Sequence, residues 1–447
     1  MPLATETAYS FPENFIWGTA TAAPQIEGGA SADGRGPSIW DTFSAKPGSV
    51  YSGHTPEVAC DHYHRYREDI ALMASLGIKH YRFSFSWSRL LPHDNDKVNI
   101  AGISFYKNLL GVMKEYGITP WATMFHWDLP QYLEDKGGWA NRMIVDAFEL
   151  YAKVLVEHFG ENIPYWFTLN EMPCFIGLGY GTGYHAPGRK LNPSELVQTY
   201  HHGLLAHGKA VQTIRTLAPE GTQIGLVHNA VHSVPVYETE EHIEATRLHF
   251  MENNGPIYDP LFKGCYPENM PLKPEIHDHD MDIISTPTDF LGVNIYFANF
   301  VQHCAKRGYE EVAIPQQYPK GDIEWLNITP QCIYWPVRFM SEDYGVKHIY
   351  VTENGACFDD VANEEGTFND LHRREFLRNY LISLHRAVTD DLGVKGYFLW
   401  SFLDNFEWAE GYSKRFGIVH CDYQTMRRTP KLSAKWYAKV ISENRVL

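Results

Sequence analysis

Tyr165-Trp-Phe-Thr-Leu-Asn-Glu171 is an apolar run after Pro164 that ends abruptly in an amide and a carboxylate. Aromatic and β-branched residues dominate it and helical periodicity is absent, so it reads as a buried strand delivering Asn170 and Glu171 at its C-terminal tip. Lys347-His-Ile-Tyr-Val-Thr-Glu353-Asn-Gly355 has the same form: strand formers, then Thr-Glu-Asn, then a glycine that lets the chain turn.

Outward from these runs, apolar patterning predicts strands over 15–22, 78–85, 119–126, 165–171, 224–230, 290–296, 349–353 and 396–402. Helical spacing predicts helices over 57–76, 102–116, 141–159, 193–217, 242–253, 330–344, 371–392 and 431–441. Gly77 and Gly117 follow two of these as C-cap signals, and Ser194 and Glu195 suit the first turn of the longest. A charged, Gly- and Pro-containing excursion over 302–329 interrupts the rhythm. Alternating strands and helices with no linker predict a single (β/α)₈ barrel with extended βα loops over 1–447, its core about 11–441. A doubly wound sheet has a similar rhythm but gathers ligand contacts at one crevice. Here polar residues collect after His126, Glu171, Glu353 and Asp404, at the ends of four strands, as in barrel enzymes.

Composition narrows the function class. The chain is 44% hydrophobic and 14% aromatic, with 12 Trp and 27 Tyr, which excludes general disorder and supplies flat side chains for a core or for sugar faces. A formal net charge of -16 with no basic stripe argues against nucleic acid and anionic membranes as partners and favours neutral substrates. Met1-Pro-Leu-Ala-Thr-Glu6 has neither a basic n-region nor an apolar h-region, and no apolar run reaches membrane-spanning length, so a soluble cytoplasmic protein is expected. Cys60, Cys174, Cys265, Cys304, Cys332, Cys357 and Cys421 are odd in number and scattered, which fits free thiols. The glycine-rich stretch 28–36 lacks both the GxxxxGK[ST] and the GxGxxG pattern. His62 and His64, or His201, His202 and His207, form neither HExxH nor a Cys/His cluster, and they read as satisfied or exposed. His242 and His249 read as helix surface residues. No metal is expected, and the sequence leaves an oligomer open.

Two strand-end glutamates are what an enzyme cutting glycosidic bonds needs. Eight strings carry a resemblance to glycoside hydrolase family 1, the β-glucosidase family. They are Trp17-Gly-Thr-Ala-Thr-Ala, Gln25-Ile-Glu-Gly28, Tyr81-Arg-Phe-Ser-Phe-Ser-Trp-Ser-Arg89, His126-Trp-Asp-Leu-Pro130, Thr168-Leu-Asn-Glu171, Asn294-Ile-Tyr296, Val351-Thr-Glu-Asn-Gly355 and Asp404-Asn-Phe-Glu-Trp408. Together and in this order they are highly specific.

The resemblance implies a retaining β-glucosidase that needs no cofactor, with Glu171 as general acid/base and Glu353 as nucleophile. It assigns Arg82, Asn294 and Tyr296 as support for Glu353, and Gln25, His126, Asn170, Trp400, Glu407 and Trp408 as sugar-binding residues. Cys174, Phe175, Leu178, Tyr180, His185 and Trp325 are expected along the leaving-group side. The implied substrates are cellobiose, short neutral β-linked oligosaccharides and aryl or alkyl β-glucosides, with β-galactosidase or β-fucosidase activity as the alternative. A retained Glu407 would repel a 6-phosphate despite Ser413 and Lys414 nearby, so an unphosphorylated sugar is expected. Met172 stands where the family pattern has proline, and Pro24 where it has an aromatic residue.

Overall fold

The computed structural model describes residues 9–94 and 97–447, so the expectation for the first six residues lies outside the described residues. A closed barrel of parallel strands forms the centre: β1 (Ile16–Ala20), β2 (His80–Ser84), β3 (Thr119–Phe125), β4 (Tyr165–Asn170), β5 (Gln223–His228), β6 (Phe290–Asn294), β7 (Ile349–Asn354) and β8 (Val394–Trp400). Each strand pairs with the next in sequence, and β1 closes on β8 from Ile16 opposite Gly396 to Ala20 opposite Trp400. The principal helices packed outside are α1 (His62–Ser75), α2 (Ile100–Glu115), α3 (Ile144–Phe159), α4 (Pro193–Leu217), α5 (Glu240–Lys263), α6 (Trp335–Tyr344), α7 (Leu371–Thr389) and α8 (Leu432–Glu443).

Local chemistry sets several boundaries. The Asn192 side chain accepts from the Ser194 and Glu195 amides while Glu195 reaches back to the Asn192 amide, so α4 starts where its capping box lies. Gly77 and Gly117 take φ of 74° and 67° after α1 and α2, the left-handed turns that end those helices. α1 begins later than expected because 57–61 is held against the loop after β1: the Cys60 amide donates to the Ile26 carbonyl and Tyr63 to Glu27. α5 runs ten residues past its expected end, through Pro256 and Pro260, because Ile257, Tyr258 and Pro260 are buried against the core. The 302–329 excursion contains an unexpected hairpin, Asn299–Cys304 against Gly308–Val312, joined by Ser233–Pro235 in a three-stranded sheet.

The floor of the barrel is aromatic. Trp121 of β3 stacks on Tyr165 of β4 at 3.6 Å and meets Tyr350 of β7 and Phe398 of β8 edge-on at 4.9 and 5.0 Å. Each such pair adds about 0.5–1.5 kcal/mol beyond its burial. A Cβ at Gly18 of β1 would lie 2.4 Å from the Phe398 ring, so the plug requires glycine there. The other end, at the C-terminal tips of the strands, opens onto a cavity lined by both expected glutamates.

The histidines have structural partners. His62 pairs with Asp69, and His201 bridges Tyr266 and Asp280. His249 is buried rather than on the surface, between Ser233 and Glu311, because the hairpin covers that face of α5. All seven cysteines are free. Among the described residues no group of three His, Cys, Asp or Glu side chains is placed to hold a metal ion, and no helix is long and apolar enough to cross a membrane.

Candidate active site

β4 ends at Asn170, and the Glu171 amide still donates to the Val227 carbonyl of β5 at 3.0 Å. Glu171 then takes φ of 52°, in the left-handed region, and the chain turns into the wide helical segment Pro173–Thr182. Trp127 and Trp408 also sit at positive φ, 79° and 49°. Held conformations of this kind cost about 1–3 kcal/mol each and gather at functional sites. Gly355, after β7, needs no positive φ: the Trp400 carbonyl lies 1.6 Å from where its Cβ would stand. Close approach of β8, rather than turning, is what requires glycine there.

Arg82, at the middle of β2, organises the carboxylates. Its Nη1 donates to Glu353 Oε1 at 2.6 Å, its Nη2 to Asn170 Oδ1 at 2.7 Å and its Nε to Thr123 Oγ1 at 3.2 Å. Tyr296 donates its hydroxyl to Glu353 Oε2 at 2.7 Å. Asn294, expected beside Glu353, stands opposite it in the register of β6 and β7, and its Nδ2 also donates to Glu171 Oε1 at 2.6 Å and to Asn170 Oδ1 at 3.2 Å, while its own Oδ1 accepts from Thr352 at 2.7 Å. One network therefore holds both carboxyl groups.

The two carboxyl groups are electrostatically unequal. Burial, together with the Glu353 charge, pushes Glu171 up to about 8. Burial also raises Glu353, but the Arg82 guanidinium and two further hydrogen-bond donors oppose it. A proton shared by the pair belongs on Glu171, the member without a paired cation. Glu407 is likewise pushed to about 8, by burial and then by the charges of Glu353 and Glu171.

Around them lies a cavity of about 620 Å³ whose wall includes Glu171, Glu353, His126, Trp400, Glu407 and Trp408. Burial and Arg82 keep His126 neutral. Its Nε2 accepts from Asn170 Nδ2 at 3.0 Å, which places the ring proton on Nδ1, a buried atom with no protein partner. Gln25 uses its Nε2 on Asn405, Phe406 and Glu407, leaving Oε1 buried and unpartnered. A spare N–H and a spare carbonyl thus accompany the Glu407 carboxyl and the indole wall of Trp400, a set matched to adjacent hydroxyls over an apolar ring face.

The leaving-group side agrees only in part with expectation. Cys174, Leu178, His185 and Trp325 line the cavity. Phe175 does not: it packs into the core, edge-on to Phe125 at 5.0 Å. Tyr180 also turns away, with its hydroxyl on the Glu134 carboxylate. Met172 is buried against α4, where Gly203 leaves room for it. Ser413 bonds to the Glu410 carbonyl and Lys414 to Asp322, and neither lines the cavity. Sequence reasoning missed Trp127, Tyr184, Asn229, His232, Phe297 and Glu410 in the wall. Trp127 stands inside the quoted His126-Trp-Asp-Leu-Pro130 string and Asn229 inside the predicted strand 224–230; Tyr184, His232 and Phe297 lie on loops and Glu410 in the short helical turn Trp408–Glu410.

Comparison with known proteins agrees with this geometry. The glycosyl hydrolase family 1 model matches residues 7–446. The chain is 44% identical over 440 residues to 1,4-beta-D-glucan glucohydrolase of Thermotoga neapolitana, covering 97% of this chain and 98% of the relative. Beta-glucosidase A of Acetivibrio thermocellus is 44% identical over 445 residues, at 97% and 99% coverage. The structure of the beta-glucosidase from Thermotoga maritima in complex with glucoimidazole superposes with a TM-score of 0.90 at 43% identity, covering 97% of this chain and 99% of that one. A carboxylate pair on the tips of β4 and β7 of a closed barrel, one member paired with an arginine and both joined in one network, occurs here in a chain that matches these relatives almost end to end: the chain belongs to glycosyl hydrolase family 1.

Proposed function

We propose that this chain is a retaining, exo-acting β-glucosidase working as a single domain. The observation that carries the reading is the joint Arg82–Asn170–Asn294 network, which gives Glu353 a cation and leaves Glu171 the proton. In the first step the ionised Glu353 carboxylate attacks the anomeric carbon while Glu171 donates its proton to the glycosidic oxygen, so the bond to the leaving group breaks as the glycosyl ester forms. In the second, Glu171, now a carboxylate, takes a proton from water as the water oxygen bonds to the anomeric carbon and Glu353 departs. His126, Gln25, Glu407 and Trp400 bind the sugar, and Asn170 addresses its 2-hydroxyl.

The names of the relatives, a glucan glucohydrolase and a β-glucosidase, support glucose as the sugar. Leu178, Val231, Phe297, Ile323, Trp325 and Phe416 make the outer wall largely apolar, which suits aryl and alkyl leaving groups beside short β-linked oligosaccharides. Seven free thiols fit a cytoplasmic location.

Initial rates on nitrophenyl β-glucoside, β-galactoside, β-fucoside and 6-phospho-β-glucoside, with NMR of the first-formed sugar, test the reading. Preference for the glucoside with β-glucose released first is expected. Faster galactoside or fucoside turnover would select the alternative sugar, preference for the phosphorylated substrate would contradict the role of Glu407, and α-glucose first would contradict Glu353 as nucleophile.

A further inference from the structure

Tyr184 and Glu410 both stand in the cavity wall, and the Tyr184 hydroxyl donates to Glu410 Oε1 at 2.8 Å. Tyr184 follows the wide helical segment that continues from β4, while Glu410 ends the short turn Trp408–Glu410 beyond β8. In the barrel order β4 and β8 are four strands apart in either direction, so the loops they carry rise from opposite sides of the mouth. A bond between those loops spans it. Both ends are braced. The Glu410 amide donates to the Glu407 carbonyl at 2.9 Å, and Ser413 donates its amide and its hydroxyl to the Glu410 carbonyl at 3.1 and 2.8 Å. The Tyr184 ring lies on His185, centroids 5.3 Å apart, and its amide donates to Thr182 Oγ1 at 3.3 Å. Tyr184 is 51% exposed, so the bond and the stack, rather than burial, hold it in place.

The two sides of this bond differ. Behind it, His185 packs against Trp40 and Trp127 at 5.4 and 5.5 Å, and both indoles meet Trp408 at 4.7 and 4.4 Å. Trp40 and Trp127 come from the loops after β1 and β3, so rings occupy that side. In front, Val231 after β5 and Phe297 and Trp325 after β6 make the wall, with Val231 and Trp325 each 39% exposed. The β8 loop reaches this wall too, because Lys414 Nζ binds Asp322 at 3.3 Å, three residues before Trp325. One loop thus holds Tyr184 on the β4 side and the Trp325 segment on the β6 side, and the gap between them lies over β5. We propose that the Tyr184–Glu410 bond is a strut that selects leaving groups: it closes the mouth toward the β1–β3 loops, so a leaving group extends over β5, between Tyr184 and Trp325, and one that also widens toward the strut is disfavoured. The inference rests on the glucosidase reading. An unbranched β-linked chain or a para-substituted aryl group fits this exit, whereas a branched sugar or a broad aryl group has to break the strut to bind.

The test compares kcat/KM on two phenyl β-glucosides, one with a single para tert-butyl group and one with tert-butyl groups at both meta positions. Their phenols are of similar acidity but differ in width, and with both meta positions filled no ring flip keeps a substituent off the strut. The readout is the ratio of broad to slender substrate in wild type, Tyr184→Phe, Glu410→Ala, the double variant and Glu410→Gln, with melting curves for each. Tyr184→Phe keeps the ring on His185 and removes only the hydroxyl. The ratio is expected to rise about fivefold in Tyr184→Phe and in Glu410→Ala, the worth of one partly exposed hydrogen bond that no longer has to be broken, with the gain in KM. It rises no further in the double variant, because both changes remove one bond. Glu410→Gln, whose amide oxygen still accepts from Tyr184, stays within about twofold of wild type. A packing role for the two side chains would move both substrates together and leave the ratio fixed, and gains that multiply in the double variant would mean that the residues act separately; either result overturns the strut. Wild type that cleaves neither glucoside contradicts the glucosidase reading and the strut with it. Wild type that cleaves both, with a ratio that neither single variant moves, contradicts the strut alone.

Discussion

Arg82 and Tyr296 both donate to Glu353, whereas Glu171 receives an amide from Asn294 and has no cation bonded to it. In the proposed mechanism this asymmetry gives two chemically identical side chains opposite roles, and it sets the sign of the expected pH dependence. The active free enzyme has Glu171 protonated and Glu353 ionised. Activity therefore falls as pH rises through the Glu171 value of about 8 and falls as pH drops through that of Glu353, which burial places above the ordinary 4.5. Arg82→Met leaves the Glu353 charge buried without its cation. The expected outcome is an acid limb displaced to higher pH and kcat/KM lower by about 10²–10³-fold, from the several kcal/mol that an orphaned buried charge costs; a profile on the same substrate with an unmoved acid limb would contradict the pairing. At this scale the quoted strings hold Glu171, Glu353, Arg82, Gln25, His126, Asn170, Glu407 and Trp408, which the fold brings together, while Trp400 lies outside them in the predicted strand 396–402. The additional bond from Asn294 to Glu171 left no such trace, because side chains on β4, β6 and β7 meet across a barrel whose register no string reveals.

The loop that presents Asn405, Glu407 and Trp408 hangs from a buried ion cluster. Asp404, on the loop after β8, accepts from Lys431 Nζ at 2.7 Å, Arg415 Nη1 at 2.8 Å and the Gly417 amide at 3.0 Å. Lys431, the residue capping α8, also binds Asp360, which in turn pairs with Arg373 of α7. Lys431→Met removes a cation with no access to water and leaves two carboxylates short of a partner, so the folded state is expected to lose about 3–5 kcal/mol. Denaturant titration at neutral pH reads that loss, together with a raised KM as the glycone loop shifts; a midpoint unchanged from wild type would show that the cluster does not anchor the loop. Lys431 and Arg415 hold Asp404 below its usual 3.8 despite burial. Its contribution is thus present above pH 3.8 and is lost as pH falls through its lower folded value. The sequence marked Lys431 only as the start of a helix, since a partner 27 positions earlier leaves no periodic trace. The hairpin at 299–312 was unread for a related reason: its charged, half-exposed strands resemble a loop until α5 is seen beneath them. The left-handed residues Glu171, Trp127 and Trp408 were equally invisible, because none is a glycine or an asparagine.

The whole molecule is a barrel closed at one end by aromatic rings and open at the other onto three acidic side chains. Its architecture was readable because each strand and helix has to bury its own face, so periodicity reports the alternation directly. The loops that shape the leaving-group wall bury little, and their contribution appears only once the strand tips are fixed in space. Gathering Glu171, Glu353 and Glu407 opposes folding whenever they ionise. For a carboxyl raised from 4.5 to about 8, the stability it allows is intact below pH 4.5 and is lost as pH rises through 8. Glu407→Gln is therefore expected to melt closer to wild type at pH 5 and several degrees above it at pH 9, with weakened sugar binding, a trade of stability for function. An equal offset at both pH values would contradict the strained carboxyl. The central claim, that Glu353 bonds to the sugar, is tested most directly by incubation with a 2-deoxy-2-fluoro-β-glucoside bearing a good leaving group, followed by peptide mass spectrometry. The account predicts a single fluoroglucosyl adduct on Glu353 in wild type and none in Glu353→Gln; an adduct on Glu171, on Glu407 or on no residue at all would contradict it.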